Sequence, residues 1–174
     1  MFVSCARQDK TTVPALKVQG TALYQEGGEQ PVVWRGLSFG WHNIWPRFYN
    51  KEAVNVLVNE WGCPVFRAAI GADDLEETCP LGGYRSDAAL AAGLPVFISE
   101  CAACEASGDG PIDPEEWAKW NEWAADRGVS LLTWSISDKN ETCSMFTPEA
   151  SSEGPWDDAV IKEWGKISRD WLKK

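Results

Sequence analysis

No apolar run in these 174 residues approaches the roughly 18–20 needed to cross a bilayer, so the sequence offers no membrane-spanning helix. Positive charge is scarce too: 16 Lys and Arg stand against 26 Asp and Glu, for a formal net charge of −10. That balance disfavours nucleic acid and anionic membranes and suits a neutral or cationic ligand better. Histidine is nearly missing; the chain has one, His42. The six cysteines, Cys5, Cys63, Cys79, Cys101, Cys104 and Cys143, match no zinc spacing, so no metal or other cofactor is expected. Cys101-Ala-Ala-Cys104 is a lone CxxC without the βαβ setting or the Trp/Gly-Pro interior of a thioredoxin-type motif, and it is not read as a redox centre. Tryptophan, in contrast, is plentiful at 11 residues. Indole rings fill cores, and their flat faces also suit stacking on the C–H faces of sugars.

The start, Met1-Phe-Val-Ser-Cys-Ala6, has the look of the end of a bacterial lipoprotein signal, with Cys5 as the lipidated residue; an ordinary terminus is the alternative. Residues 1–12 are therefore read as a signal remnant and tether, and 13–174 as one domain. Membrane contact is expected only through a lipid on Cys5, which would place the protein outside the cell or on its surface. With Cys5 lipidated, the other five cysteines are odd in number, leaving a free thiol or a bridge between two chains.

Hydrophobic periodicity supplies the elements. Lys17–Tyr24 and Pro31–Gly36 read as a β-hairpin around Gln25–Gln30. Arg35–Phe39 continues as the first sheet strand, with Trp41-His-Asn-Ile-Trp45 as a loop past its end. Lys51–Trp61 is a helix with Asn50 as its cap and Gly62 as its stop. Cys63–Ile70 is a second strand, Gly71–Gly83 an acidic loop and Asp87–Ala92 a short helix. Pro95–Ser99 is apolar and β-branched, which reads as a strand buried on both faces, and it leads into Glu100. Asp113-Pro-Glu-Glu-Trp117 opens a helix whose Trp117, Trp120 and Trp123 are expected to pack inward. Val129–Ile136 is a fourth strand, and Ala159–Leu172 a last helix. A hairpin followed by four strand–helix units predicts an α/β fold with a parallel sheet. The strands end in Ser38 with the nearby His42 and Asn43, in Arg67, in Glu100, and in Trp134 with Ser135. A carboxylate at the C-terminal end of a parallel strand lies where α/β barrels keep their chemistry.

These segments together resemble glycoside hydrolase family 5, in its endo-β-1,4-glucanase (cellulase) branch and in a Bacteroidetes-like form. Trp34-Arg-Gly-Leu-Ser38 and Gly40-Trp-His-Asn-Ile-Trp45 are similar to its first strand and loop. Asn59-Glu-Trp-Gly-Cys-Pro-Val-Phe-Arg-Ala-Ala69 is similar to its second helix-to-strand passage, Leu94-Pro-Val-Phe-Ile-Ser-Glu100 to its strand-seven motif, and Leu132-Thr-Trp-Ser-Ile-Ser-Asp-Lys-Asn-Glu-Thr142 to its strand eight. The resemblance implies hydrolysis of β-1,4-glucan, with cello-oligosaccharides as ligands and Glu100 as nucleophile. It places Arg67, His42, Asn43, Trp45, Trp134, Lys139 and Glu141 at substrate-contacting positions.

The resemblance has a hole. After Gly82-Gly-Tyr84 the family runs through strands three to six, whereas this chain passes from Arg85-Ser-Asp87 into Ala88–Leu94. The Asn-Glu-Pro motif that would bring the acid/base is missing, and Asn59-Glu-Trp61 and Asn121-Glu-Trp123 sit in helices without the strand that should precede them. At 174 residues the chain is about 80 short of the roughly 250 of a complete (β/α)8 barrel. The fold expected is half of such a TIM barrel, four parallel β/α units after an N-terminal hairpin, completed by homodimerisation. Within it, the Glu100 strand would lie beside the Arg67 strand, and the Trp134 and Ser38 strands would form the two edges. The acid would come from the partner's Glu100 or from Asp73, Asp74, Glu76 or Glu77. A glucan-binding half-barrel without catalysis is the alternative.

Overall fold

A computed structural model of the chain describes residues 15–41, 44–69 and 96–174. The Cys5 tether, His42 and Asn43, the acidic loop with Asp73, Asp74, Glu76 and Glu77, and the helix expected over Asp87–Ala92 lie outside the described residues.

The N-terminal strands are β1 (Leu16–Gln19), β2 (Ala22–Gln25) and β3 (Pro31–Val32), which form an antiparallel sheet in that order. The segment expected as one strand over Lys17–Tyr24 is itself a hairpin. Gly20 takes a positive φ of 61° and turns the chain there, so Lys17 faces Tyr24 across the pair. Four further strands follow: β4 (Arg35–Phe39), β5 (Phe66–Arg67), β6 (Phe97–Cys101) and β7 (Ser130–Ile136). They form a parallel sheet in the order β5-β4-β7-β6. With helices α1 (Lys51–Asn59), α2 (Pro114–Asp126) and α3 (Glu163–Leu172), the fold is α/β.

That strand order corrects the one expected from sequence. The Ser38 and Trp134 strands are not the edges; they pair with each other at the centre, Ser38 opposite Trp134. Among the described residues the edges are the Arg67 strand and the Glu100 strand, which do not neighbour each other. The centre admits this because β4 is thin at Gly36. A Cβ there would lie 2.3 Å from the Val65 carbonyl oxygen and 2.4 Å from Leu132 Cδ2, so no larger residue fits. As an edge, β6 is also not buried on both faces: Phe97, Ser99 and Glu100 are exposed, and only Ile98 and Cys101 are half-buried.

Caps and stops follow the sequence closely. The Asn50 side chain accepts a 2.8 Å bond from the Ala53 amide, and Ala53 and Leu57 carry the buried stripe of α1. Asp113 accepts from the amides of Glu115 and Glu116 at the start of α2, with Pro114 at its first position. In α2, Trp117 and Ala124 are buried, while Trp120 is 40% exposed. Seven residues bring Ala124 back to Trp117's side of the helix; three leave Trp120 turned about 60° away, so the expected three-tryptophan packing face is not formed. The last helix begins at Glu163 rather than Ala159, because Ile161 is used in a bridge to Phe146 and Lys162 becomes the cap.

The core lies between sheet and helices. Leu37, Leu131 and Ile136 of the sheet meet Leu57, Trp61, Phe48, Phe146 and Trp164. Trp164 is 1% exposed, packs edge-on against Trp117 at 5.0 Å, and donates its indole N–H to the Trp134 carbonyl. Thus one core residue holds the backbone of a strand-end tryptophan.

Candidate active site

The site is built from one rung of the sheet. Ser38 lies opposite both Arg67 and Trp134 in the strand registers, so three of the expected strand-end groups share a level. Glu100 sits within the bulge of β6, between the paired residues Ile98 and Cys101. Such a bulge re-aims a side chain. Arg67 Nη1 donates to Glu100 Oε2 at 2.9 Å and to the Ser38 hydroxyl oxygen at 3.1 Å. An arginine on one edge strand therefore reaches a glutamate on the other across two intervening strands. The Ser38 side chain is fully buried and its own hydroxyl donates to the Phe39 carbonyl.

Two indoles hold the guanidinium. Arg67 Cζ lies 5.5 Å from the Trp41 ring centroid and 5.9 Å from that of Trp134. Trp41 was not among the residues expected at the site; its place in Gly40-Trp-His-Asn-Ile-Trp45, next to the expected contacts, was the available signal. The Glu100 side chain is 44% exposed and that of Arg67 23%, so the carboxylate faces solvent while its partner is half-covered. Tyr49 joins the two neighbouring strand ends: its hydroxyl donates to Gly40 O at 2.8 Å and accepts from the Ala69 amide at 3.0 Å. Burial raises the pKa of this phenol, against the lowering effects of the Ala69 hydrogen bond and of Arg67.

Trp45, Lys139 and Glu141 form a second group. Lys139 Nζ lies 6.0 Å from the Trp45 ring centroid and is paired with the Glu141 carboxylate. Glu141 is buried, 5% exposed, and packs on Gly108, where a Cβ would come within 2.6 Å of its Oε2. Gly108 also has a φ of +88°, so the backbone favours glycine there. Glu141 thus holds Lys139 rather than presenting a free carboxylate. Its carbonyl accepts from Lys162, whose pKa is lowered by burial, while Glu141 and Asp109 act to raise it. A groove of about 420 Å³ between Asp109, Thr142 and Lys162 flanks these loops and includes neither Arg67 nor Glu100. Among the described residues, no group of three His, Cys, Asp or Glu is arranged to hold a metal ion.

The loops that follow β6 and β7 are joined covalently. Cys104 and Cys143, 39 residues apart, form a disulfide, and the Cys143 amide donates to Gly108 O at 3.0 Å. Cys104 therefore does not pair with Cys101, the other half of the CxxC. Closing a loop of that length contributes about 2–4 kcal/mol. Reduction is expected to lower the urea midpoint accordingly, and a Cys104→Ser/Cys143→Ser double variant should match the reduced protein. Cys63 and Cys101 are free. Burial pushes both thiols up to about 12, with the Glu100 charge adding to the rise at Cys101. At pH 8 that leaves only about one thiol in ten thousand as thiolate. Iodoacetamide should accordingly modify both about a thousandfold more slowly in the folded protein than in urea, as read by mass spectrometry.

The Arg67–Glu100 pair and its indoles lie at the C-terminal ends of parallel strands, the end at which α/β barrels carry their active sites. No protein-family model matches the chain. It is 36% identical over 90 residues to endoglucanase N of Pectobacterium atrosepticum, a match covering 51% of this chain and 20% of that relative. It is 40% identical over 63 residues to the cellulase CelDZ1 of a Thermoanaerobacterium species, covering 36% of this chain and 16% of that relative. These matched segments amount to about a fifth or less of the relatives' lengths. Among solved structures, a protein from Cytophaga hutchinsonii aligns with a TM-score of 0.78 at 20% identity, covering 91% of this chain and 94% of that one. The catalytic domain of a Thermobifida fusca endoglucanase in complex with cellotetraose aligns with a TM-score of 0.76 at 14% identity, covering 91% and 97%. A cellulase described as of glycoside hydrolase family 5, from an Icelandic hot-spring isolate, aligns at 0.72 with 14% identity, covering 92% and 94%. The chain is related in sequence to endoglucanases and in fold to family 5 cellulases, as its motifs indicate.

Proposed function

We propose that the chain binds β-1,4-glucan across the C-terminal ends of its parallel strands and hydrolyses it, with Glu100 as nucleophile. The observation that carries this reading is the Arg67–Glu100 pair, 2.9 Å apart and set between Trp41 and Trp134 at the strand ends. The carboxylate is fixed in direction by a guanidinium, and the indoles offer flat apolar surface for a sugar ring. Trp45 with Lys139, held by Glu141, would extend the platform, and His42 and Asn43 complete the contacts implied by the resemblance. The names of the relatives, endoglucanases and cellulases, support the same substrate class.

In the retaining reaction a carboxylate attacks the anomeric carbon while a second carboxyl about 5–5.5 Å away protonates the leaving oxygen. Among the described residues, Glu100 is the one carboxylate that contacts Arg67. That favours a second reading, a glucan-binding protein without catalysis. Reducing-sugar release from carboxymethylcellulose and a cello-oligosaccharide titration followed by tryptophan fluorescence separate the two. Release with quenching supports the enzyme. Quenching alone supports the binding protein, and neither signal overturns both.

A further inference from the structure

β5 is the shortest strand of the parallel sheet, and it carries Arg67. Its ladder to β4 pairs Leu37 with Phe66 and Ser38 with Arg67. Continued at that register, Gly40 would stand opposite Ala69. The ladder stops before that point, and the Tyr49 hydroxyl enters between the two strand ends. It donates to Gly40 O at 2.8 Å and accepts from the Ala69 amide at 3.0 Å. A side chain thus makes the link where backbone pairing ends. Gly40 is itself anchored, since its amide donates to Ile136 O of β7 at 3.3 Å. Ala69 is 2% exposed, so its amide depends on the phenol for a partner.

The arm that carries this hydroxyl is fixed along its length. The Tyr49 amide donates to Pro46 O at 3.0 Å. The next residue, Asn50, caps α1 and donates to Ser152 O at 2.7 Å. The Tyr49 ring packs on Phe39 with centroids 4.7 Å apart, and Phe39 packs in turn on Phe66, the residue before Arg67.

We propose that Tyr49 is the positioning residue of Arg67: its hydroxyl sets the spacing of β4 and β5 just past Arg67, and so the place of the guanidinium between Trp41, Trp134 and Glu100. The other partners of Arg67 hold the tip of its side chain; Tyr49 holds the strand from which that side chain springs. The effect on hydrolysis rests on the glucan reading. A nucleophile gains from close alignment with the carbon it attacks, and Arg67 is the group that fixes the direction of Glu100.

Tyr49→Phe tests this, because it keeps the ring and its contact with Phe39 and removes only the hydroxyl. The first readout needs no glucan. It is the proton–nitrogen NMR signal of the Arg67 side chain, identified by its loss in Arg67→Lys. Protons over indole faces are shifted upfield by ring currents, and in Tyr49→Phe they should move towards the values of free arginine. The second is kinetic: kcat on carboxymethylcellulose should fall about tenfold or more while KM stays within about twofold. Ile161→Val, a mild cut elsewhere in the core, should lower the urea midpoint and leave both readouts as in the wild type. Unmoved Arg67 signals in Tyr49→Phe, an unchanged kcat, or an equal movement in Ile161→Val overturns the inference. A wild type inert towards glucan removes the enzyme reading instead, and the NMR signal alone then decides whether Tyr49 positions Arg67.

Discussion

Replacing Glu100 with Gln is expected to lower glucan hydrolysis by about a thousandfold or more while cello-oligosaccharide binding stays within about threefold. The amide keeps the shape of the carboxylate and can still accept from Arg67 Nη1 through its oxygen, so the 2.9 Å contact and the Arg67 seat between two indoles persist. What it loses is the charge and the nucleophilic oxygen, which matter at the moment of bond breaking rather than in the bound state. A large loss in kcat with little change in the fluorescence titration is therefore the signature to look for. Undiminished hydrolysis by Glu100→Gln would remove Glu100 from the chemistry altogether.

The largest effect on stability is expected at Trp164. Trp164→Ala should cost about 3–5 kcal/mol, since it empties a large site in a packed core. The ring is 1% exposed and packs against Trp117, and its N–H meets the Trp134 carbonyl. Trp164→Phe separates the two contributions. It retains much of the apolar volume but leaves that carbonyl without its donor, a loss of about 1–3 kcal/mol. Urea unfolding reads both, and an unchanged midpoint in Trp164→Ala would show that the core is not built around this ring. The Phe variant should also weaken glucan binding, because Trp134 would no longer be fixed through its own backbone.

The parts that were legible in the sequence are those with local causes. Asn50 and Asp113 cap their helices as their side-chain chemistry requires, and Gly62 and Gly128 stop the chain with positive φ. The strand ends bearing Ser38, Arg67, Glu100 and Trp134 were readable because each follows an apolar run bounded by breakers. Strand order was not readable. Which strand neighbours which depends on where a crossover lands, and pattern alone does not carry that information; only Gly36, too small to keep Val65 and Leu132 apart, marked the centre. Trp41 escaped notice for a related reason: its role is to cover a guanidinium that lies 26 positions further along the chain. The Cys104–Cys143 bridge likewise joins loops that only the β6–β7 pairing brings together.

The central position of β4 also has a bearing on how the chain comes to be folded at all. Its register with β7 joins residues close to a hundred apart, as in the Trp34 amide bonded to the Ser130 hydroxyl at a separation of 96. Contacts of such range slow folding, because a long loop must close before they bring any gain. On the ribosome, β4 emerges early and can meet Tyr49 and Phe66 through Phe39, but its pairing with β7 waits until that strand has been made. The strand at the heart of the parallel sheet is thus the first of its four to be made and the one that waits longest for its second neighbour, so one of its sides stays unpaired through most of the chain's synthesis.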